Sequence, residues 1–201
     1  MIAIIDYRLG NLWSVKYALD RLGVDSGLTS DPARIAAADG VILPGVGAFG
    51  RAMEMFRRLD LIGPTREAAL STRPFMGICL GLQLLFSESQ EHGRHDGLDI
   101  LPGRVVRFGA GLTVPHMGWN QVRQQGPSPL FEGIQDESFF YFAHSYYVQP
   151  ADREVVIGTT EYGGQYASLV QKGRVFAVQF HPEKSGPTGL KMLANFCKLC
   201  V

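Results

Sequence analysis

The stretch Phe75-Met76-Gly77-Ile78-Cys79-Leu80-Gly81-Leu82-Gln83-Leu84-Leu85-Phe86 constrains this chain more tightly than any other. Pro74 bounds it, and Phe75, Met76 and Ile78 form an apolar run suited to a buried strand. Leu80, Leu84 and Leu85 then recur at helical spacing, which predicts an amphipathic helix with one apolar face. Between strand and helix the chain turns at Cys79, with Gly77 and Gly81 on either side. A nucleophile elbow needs that arrangement: the backbone is strained and neighbouring chains pass close, so flanking side chains must be absent. A cysteine there sits at a helix N-terminus, where the dipole and free N–H groups favour thiolate over thiol. Gly-x-Cys-x-Gly alone is equally compatible with a small buried cysteine on a packed strand.

Further along, Val175-Phe176-Ala177-Val178-Gln179-Phe180 reads as a second buried strand, and His181-Pro182-Glu183 follows it. A cysteine nucleophile needs a base to take its proton and return it to the leaving group. The base in turn needs a carboxylate to fix its tautomer and orientation. On an extended segment His181 and Glu183, two apart, point the same way, with Pro182 stiffening the backbone between them. If both strands end at one edge of an open sheet, Cys79, His181 and Glu183 form a triad.

With these motifs in place the chain resembles the class I (triad) glutamine amidotransferases over nearly its whole length. The resemblance rests on Asp6-Tyr7…Gly10-Asn11, Pro44-Gly45-Val46-Gly47-Ala48-Phe49, the Cys79 elbow and Gln179-Phe180-His181-Pro182-Glu183-Lys184-Ser185. Two further segments, Pro115-His116-Met117-Gly118-Trp119-Asn120 and Tyr141-Phe142-Ala143-His144-Ser145-Tyr146-Tyr147, resemble one subfamily, the glutaminase subunits of imidazole glycerol phosphate synthase. Family members usually carry glycine where this chain has Arg8, which leaves the shape of that loop open.

The resemblance implies hydrolysis of L-glutamine to glutamate and ammonia through a thioester on Cys79, with His181 as base and Glu183 as its orienter. It implies an oxyanion hole from the Val46–Gly47 backbone and the Leu80 N–H. Gln83 lies one turn beyond Cys79 on the same helical face, within reach of a substrate at the thiol; the family uses this glutamine, and the backbone at Ser145 and Tyr146, to hold glutamine. Trp119, Asn120, Tyr141 and Lys184 would face a (β/α)8-barrel synthase subunit of the HisF type, forming a heterodimer that channels ammonia. No cofactor is implied. Two rivals stand beside this reading. One is a glutaminase of another pathway, such as pyridoxal phosphate synthesis. The other is a non-catalytic binding module of the same fold.

The rest of the sequence fits an α/β chain with an open, mostly parallel, flavodoxin-like sheet and an antiparallel β extension in the C-terminal half. Its 201 residues suggest a single domain, 1–201. A net charge of +0 argues against nucleic acid as a partner. Asp6 interrupts the first apolar run, and no stretch is long enough to cross a bilayer, so a cytoplasmic protein with reduced cysteines is expected. Asn11 is placed to cap a helix through about Leu22, and Asp31-Pro32 to open a short one. The Gly45–Gly50 loop lacks the lysine and Ser/Thr of a phosphate loop. Ser87–Gly97 reads as a solvated loop, and His92 with His95 does not make a metal site. Ser138–Gln149 reads as one aromatic strand, and Gly163-Gly164 as a hairpin turn. The last helix, about Thr188 to Leu199, carries an apolar stripe at Leu190, Leu193, Ala194 and Cys197; Cys197-x-x-Cys200 is incidental.

Overall fold

A computed structural model of the chain describes residues 1–200. In the first part strands alternate with helices: β1 (Ile2–Ile5), α1 (Leu12–Arg21), β2 (Ser26–Thr29), α2 (Pro32–Ala37), β3 (Gly40–Gly45), α3 (Phe49–Arg58), α4 (Ile62–Leu70), β4 (Phe75–Cys79) and α5 (Leu80–Leu84). Strands then dominate: β5 (Phe86–Ser89), β6 (His95–Asp96), β7 (Leu101–Arg107), β8 (His116–Gln124), β9 (Ser138–His144), β10 (Tyr146–Pro150), β11 (Val156–Glu161), β12 (Gln165–Lys172) and β13 (Val175–Val178). Helix α6 (Gly186–Lys198) follows.

The order β2-β1-β3-β4-β13 is a parallel block. Strands β1, β3, β4 and β13 are buried at every residue, as continuous apolar runs require when helices cover both faces. On one face Ala3, Ile5, Val41, Leu43 and Phe75 pack with Ile35, Met53 and Phe56 from α2 and α3. On the other, Ile4, Ile42, Met76, Ile78 and Val178 pack with Val15 and Leu19 of α1 and Met192 and Phe196 of α6. Beyond β13 the sheet turns antiparallel through β12, β10 and β7, while β11, β8 and β9 branch from β12. The open α/β sheet with an antiparallel C-terminal extension is therefore present, although its β5–β7 pair is parallel. The β11–β12 hairpin turns at Gly163-Gly164, both at positive φ.

Several local expectations are corrected. Helix α5 is five residues long and buried on every side, so it is not amphipathic. Asn11 makes no side-chain cap, whereas Asp31 caps α2 by accepting from Ala33 N–H at 2.9 Å. The segment 138–149 is not one strand: it breaks at Ser145, because β9 pairs with β8 while β10 pairs with β7. Ser87–Gly97 is not simply solvated loop, since β5 and β6 pair there and Ser89 is fully buried. Helix α6 is rotated from the expected stripe. Met192, Leu193, Asn195 and Phe196 face inward, and the Asn195 amide donates to the carbonyls of Leu130 at 3.0 Å and Glu132 at 2.8 Å.

Candidate active site

Three adjacent parallel strands bring the site together. Gly45 stands opposite Cys79, and Ile78 opposite Val178. The glycine loop after β3, the elbow after β4 and the His181 segment after β13 therefore meet at one carboxyl edge, where open α/β sheets place their ligands. Cys79 adopts φ +55 and ψ −108, a strained conformation for a residue with a side chain. The turn is tight enough that a Cβ on Gly81 would lie 1.8 Å from the Leu43 carbonyl oxygen, and one on Gly77 would lie 2.9 Å from that of Gly81. Arg8 adopts φ +66, so the loop keeps the conformation natural to glycine, and its N–H donates to Asp6 Oδ1 at 2.8 Å.

His181 Nδ1 donates to Glu183 Oε1 at 2.8 Å, with both side chains 3% exposed. They meet through a single 3-10 turn, Pro182–Lys184, and not along the extended segment expected from their spacing. The turn is held from β9. His181 N–H donates to Tyr141 O at 2.8 Å, and the Ser185 hydroxyl accepts from Tyr141 N–H at 3.0 Å and donates to His181 O at 2.6 Å. Burial by itself would lower the His181 pKa. The nearby Cys79 sulfur, and then Glu183, outweigh it and push the value up to about 10. His181 thus stands between a sulfur it can protonate or deprotonate and a carboxylate that fixes its ring. By contrast, burial pushes the Cys197 and Cys200 thiols up to about 11 and about 12, and both are free.

Cys79 opens into a cavity of about 210 Å³ whose wall includes Val46, Gly47, Leu80, Gln83, Ser145 and Tyr146. Every residue predicted for the oxyanion hole and for glutamine contact therefore borders one space. Gly47 sits at φ +103 and Gly10, whose Cα faces the Val46 N–H, at φ +104, so this loop favours glycine by its backbone conformation and not by crowding. Gln83 Nε2 donates to Tyr146 O at 2.9 Å and to Gln179 Oε1 at 3.2 Å, so both its N–H groups are used inside the protein. What Gln83 can offer a ligand is its carbonyl oxygen, Oε1. A larger groove of about 860 Å³, bordered by Arg104, Gln149 and Gln165, contains none of these groups.

Two residues of the site were not singled out from sequence. Gln179 is fully buried, and its amide donates to Cys79 Sγ at 3.7 Å. Its place two residues before His181, at the end of a buried strand, was the available signal. Glu91 borders the cavity and accepts the Phe49 N–H, at the start of α3, at 2.6 Å. Nothing local distinguishes it from the other polar residues of its segment.

The residues expected at a docking face divide. Trp119 is 55% exposed and meets Tyr141 edge-on across the β8–β9 pair, with ring centroids 6.2 Å apart. Met117 and Phe139 extend this apolar surface, and Trp13 and Tyr17 are exposed on α1. Lys184 is exposed, and among the described residues Glu183 pairs with His181 and not with Lys184. Asn120 is half-buried, and its amide turns inward. Among the described residues no helix is long and apolar enough to cross a membrane, and no group of three His, Cys, Asp or Glu is arranged to hold a metal ion.

A sequence profile, glutamine amidotransferase class-I, matches residues 3–200. The imidazole glycerol phosphate synthase subunit HisH of Moorella thermoacetica is 58% identical over 198 residues, covering 98% of this chain and 94% of that protein. The subunit of the same name from Synechococcus elongatus is 51% identical, covering 97% and 91%. Among solved structures, PurLQS from Thermotoga maritima superposes with a TM-score of 0.78 at 18% identity, covering 98% of this chain and 97% of that one. A glutamine amidotransferase structure superposes with a TM-score of 0.77 at 19% identity, covering 99% and 98%.

Proposed function

Since the chain belongs to the class I glutamine amidotransferases, we propose that it is the glutaminase subunit of an imidazole glycerol phosphate synthase, acting as one amidotransferase domain. Its work is to hydrolyse L-glutamine and hand the ammonia to a synthase subunit. The observation that carries this reading is Cys79 at its strained turn, beside a His181 held by Glu183, on the wall of a cavity with Gln83, Ser145 and Tyr146.

The chemistry follows from the groups present. The Cys79 thiolate attacks the side-chain carbonyl carbon of glutamine, and the negative charge moves to the carbonyl oxygen. We assign the Leu80 N–H and the Val46–Gly47 backbone, which border the same cavity as Cys79, to receive that oxygen; one such donor contributes about 2.7–4 kcal/mol in the transition state. His181 gives its proton to the departing nitrogen, and ammonia leaves a glutamyl thioester. His181, kept in register by Glu183, then deprotonates the water that releases glutamate. Gln179 steadies the sulfur between the two steps. Gln83 Oε1 and the Glu91 carboxylate suit the substrate's ammonium group.

The partner we propose is a (β/α)8-barrel subunit of the HisF type, which would use the ammonia to form imidazole glycerol phosphate and AICAR in histidine biosynthesis in the cytosol. The exposed apolar surface of Trp119, Met117 and Phe139, with Tyr141 packed against Trp119, supports such a docking face. A sealed interface serves the chemistry, because ammonia released to water protonates and stops being a nucleophile. The test is glutamate release by the purified chain, alone and with a HisF-type barrel carrying a ligand in its own site. The expected result is weak release alone, strong release with the loaded partner, and none in Cys79→Ala. Full activity without a partner would point to another pathway, and none in any mixture would favour a binding module.

A further inference from the structure

His144 and His116 are buried, and neither takes part in the steps above. Their hydrogen bonds allow one arrangement of protons. His144 Nδ1 lies 2.8 Å from the Tyr146 carbonyl, which can only accept, so Nδ1 carries a hydrogen. Burial holds this ring neutral, its pKa pushed down to about 3, which leaves Nε2 as an acceptor. At the other end the Asn120 amide has a fixed orientation: Oδ1 accepts from Gln121 N–H at 2.8 Å, and Nδ2 donates to Glu161 O at 3.0 Å. Its remaining N–H faces His116 Nε2 at 3.3 Å, so that nitrogen accepts. His116 is kept neutral by burial, its pKa pushed down to about 4, and must carry its hydrogen on Nδ1. That atom stands 3.3 Å from both the Tyr166 hydroxyl and His144 Nε2. The Tyr166 hydroxyl in turn stands 3.2 Å from His144 Nε2.

We propose that Asn120, His116, Tyr166 and His144 form a one-way chain of hydrogen-bond donors, running from the surface to the glutamine pocket, that positions the Tyr146 carbonyl. The functional part of this inference rests on the glutaminase reading above. The Tyr146 carbonyl is where the chain meets the site: it also accepts from Gln83 Nε2 at 2.9 Å, and Gln83 and Tyr146 share the cavity wall with Cys79. With two donors on one oxygen, both the Tyr146 peptide and the Gln83 side chain have a single setting. His144 borders the cavity, but both its ring nitrogens are taken up, by Tyr146 O and by Tyr166 and His116, so all four are positioning residues. Their loss falls on substrate binding and not on proton transfer. Asn120 lies next in sequence to the exposed Trp119, so a contact there that turned its amide would withdraw the first donor of the chain.

The test has two arms, both on the full chain. Long-range proton–nitrogen correlation spectra at neutral pH read the tautomers directly and need no activity. The chain requires hydrogen on Nδ1 and none on Nε2 in both rings, the reverse of the form a neutral histidine prefers in water. Hydrogen on Nε2 of either ring overturns the proposal. The second arm compares His144→Asn with His144→Gln in glutaminase assays with the loaded partner. An asparagine amide falls near Nδ1 and keeps the bond to Tyr146 O, whereas a glutamine amide falls near Nε2 and loses it. His144→Asn is expected to hold KM within about threefold, and His144→Gln to raise it about tenfold at little changed kcat. Equal effects of the two substitutions, or none from either, overturn the proposal. Should His144→Gln not fold, the tautomers of the unsubstituted chain decide. Absence of glutaminase in the unsubstituted complex would count against the functional reading, and the tautomer arm would still decide the chain of donors.

Discussion

In the parallel block the site is shaped by backbone: Cys79 at φ +55, a Gly81 with no room for a Cβ, and a Gly45 in register with Cys79. In the antiparallel half, and where β9 of that half meets the segment after β13, it is shaped by side-chain hydrogen bonds. Ser185 ties Tyr141 to His181, and the two inward histidines run to the Tyr146 carbonyl. The two constructions fail differently. Steric exclusion around a tight turn has no tolerance, because packed backbone cannot yield to one added carbon. A hydrogen-bonded network degrades by steps, each costing about as much as one buried polar group left unpaired.

The largest expected effect therefore lies in the first region. Gly81→Ala should destabilise the chain by roughly 3 kcal/mol or more, or prevent folding, because backbone and not a flexible side chain stands in the way. Denaturant titration checks this, and a loss below 1 kcal/mol would show that the elbow relaxes easily. The matching change, at the seam where β9 meets the segment after β13, is Ser185→Ala. It removes one group that serves both Tyr141 and His181, so a loss of about 1–3 kcal/mol is expected together with about tenfold slower glutamine hydrolysis. Unchanged kinetics with lowered stability would separate the His181 turn from the chemistry.

The histidines sharpen the comparison, because they titrate in opposite senses. His144 and His116 lie below the ordinary value of 6.5, at about 3 and about 4. Below pH 6.5 the unfolded chain takes up protons that these buried rings refuse, so their contribution is present above 6.5 and lost as pH falls towards 4 and then 3. His181 is raised, so its contribution is complete below 6.5 and lost as pH rises through about 10. From these three groups the urea midpoint should be highest near pH 6.5 and fall on both sides, with His144→Asn flattening the acid limb. A midpoint that does not fall between pH 6.5 and 4 would contradict the neutral pair.

The smallest effect belongs to Arg8, which holds a left-handed backbone at φ +66 outside the site. Arg8→Gly should stabilise by about 1 kcal/mol at most, since relieved backbone strain is partly offset by the greater freedom of the unfolded glycine. A thermal melt suffices to see it, and a clear destabilisation would mean that the Arg8 side chain contributes more than its backbone strain costs.

The same contrast explains what could be read before the structure. The elbow, the parallel strands and the candidate triad were legible because their signals are local: two glycines about a cysteine, apolar runs, a histidine and a glutamate after a strand. The break at Ser145 was not, because the aromatic run continues through it while the pairing partner changes from β8 to β7. The rotation of α6 was hidden for a related reason. Its buried Asn195 answers carbonyls at Leu130 and Glu132, far away in sequence, and a polar residue facing inward leaves no periodic mark. Gln179 and Glu91 owe their places to Cys79 and to the start of α3, partners that residue type does not announce.

The central claim is that Cys79 carries the glutamyl group between attack and hydrolysis. It is tested most directly by acid-quenching the chain with L-glutamine and the loaded barrel partner during turnover, then mapping adducts by peptide mass spectrometry. A glutamyl thioester on the Cys79 peptide, absent from Cys79→Ala, is the predicted result. An active complex with no adduct on Cys79, or with one on Cys197 or Cys200 instead, would contradict it.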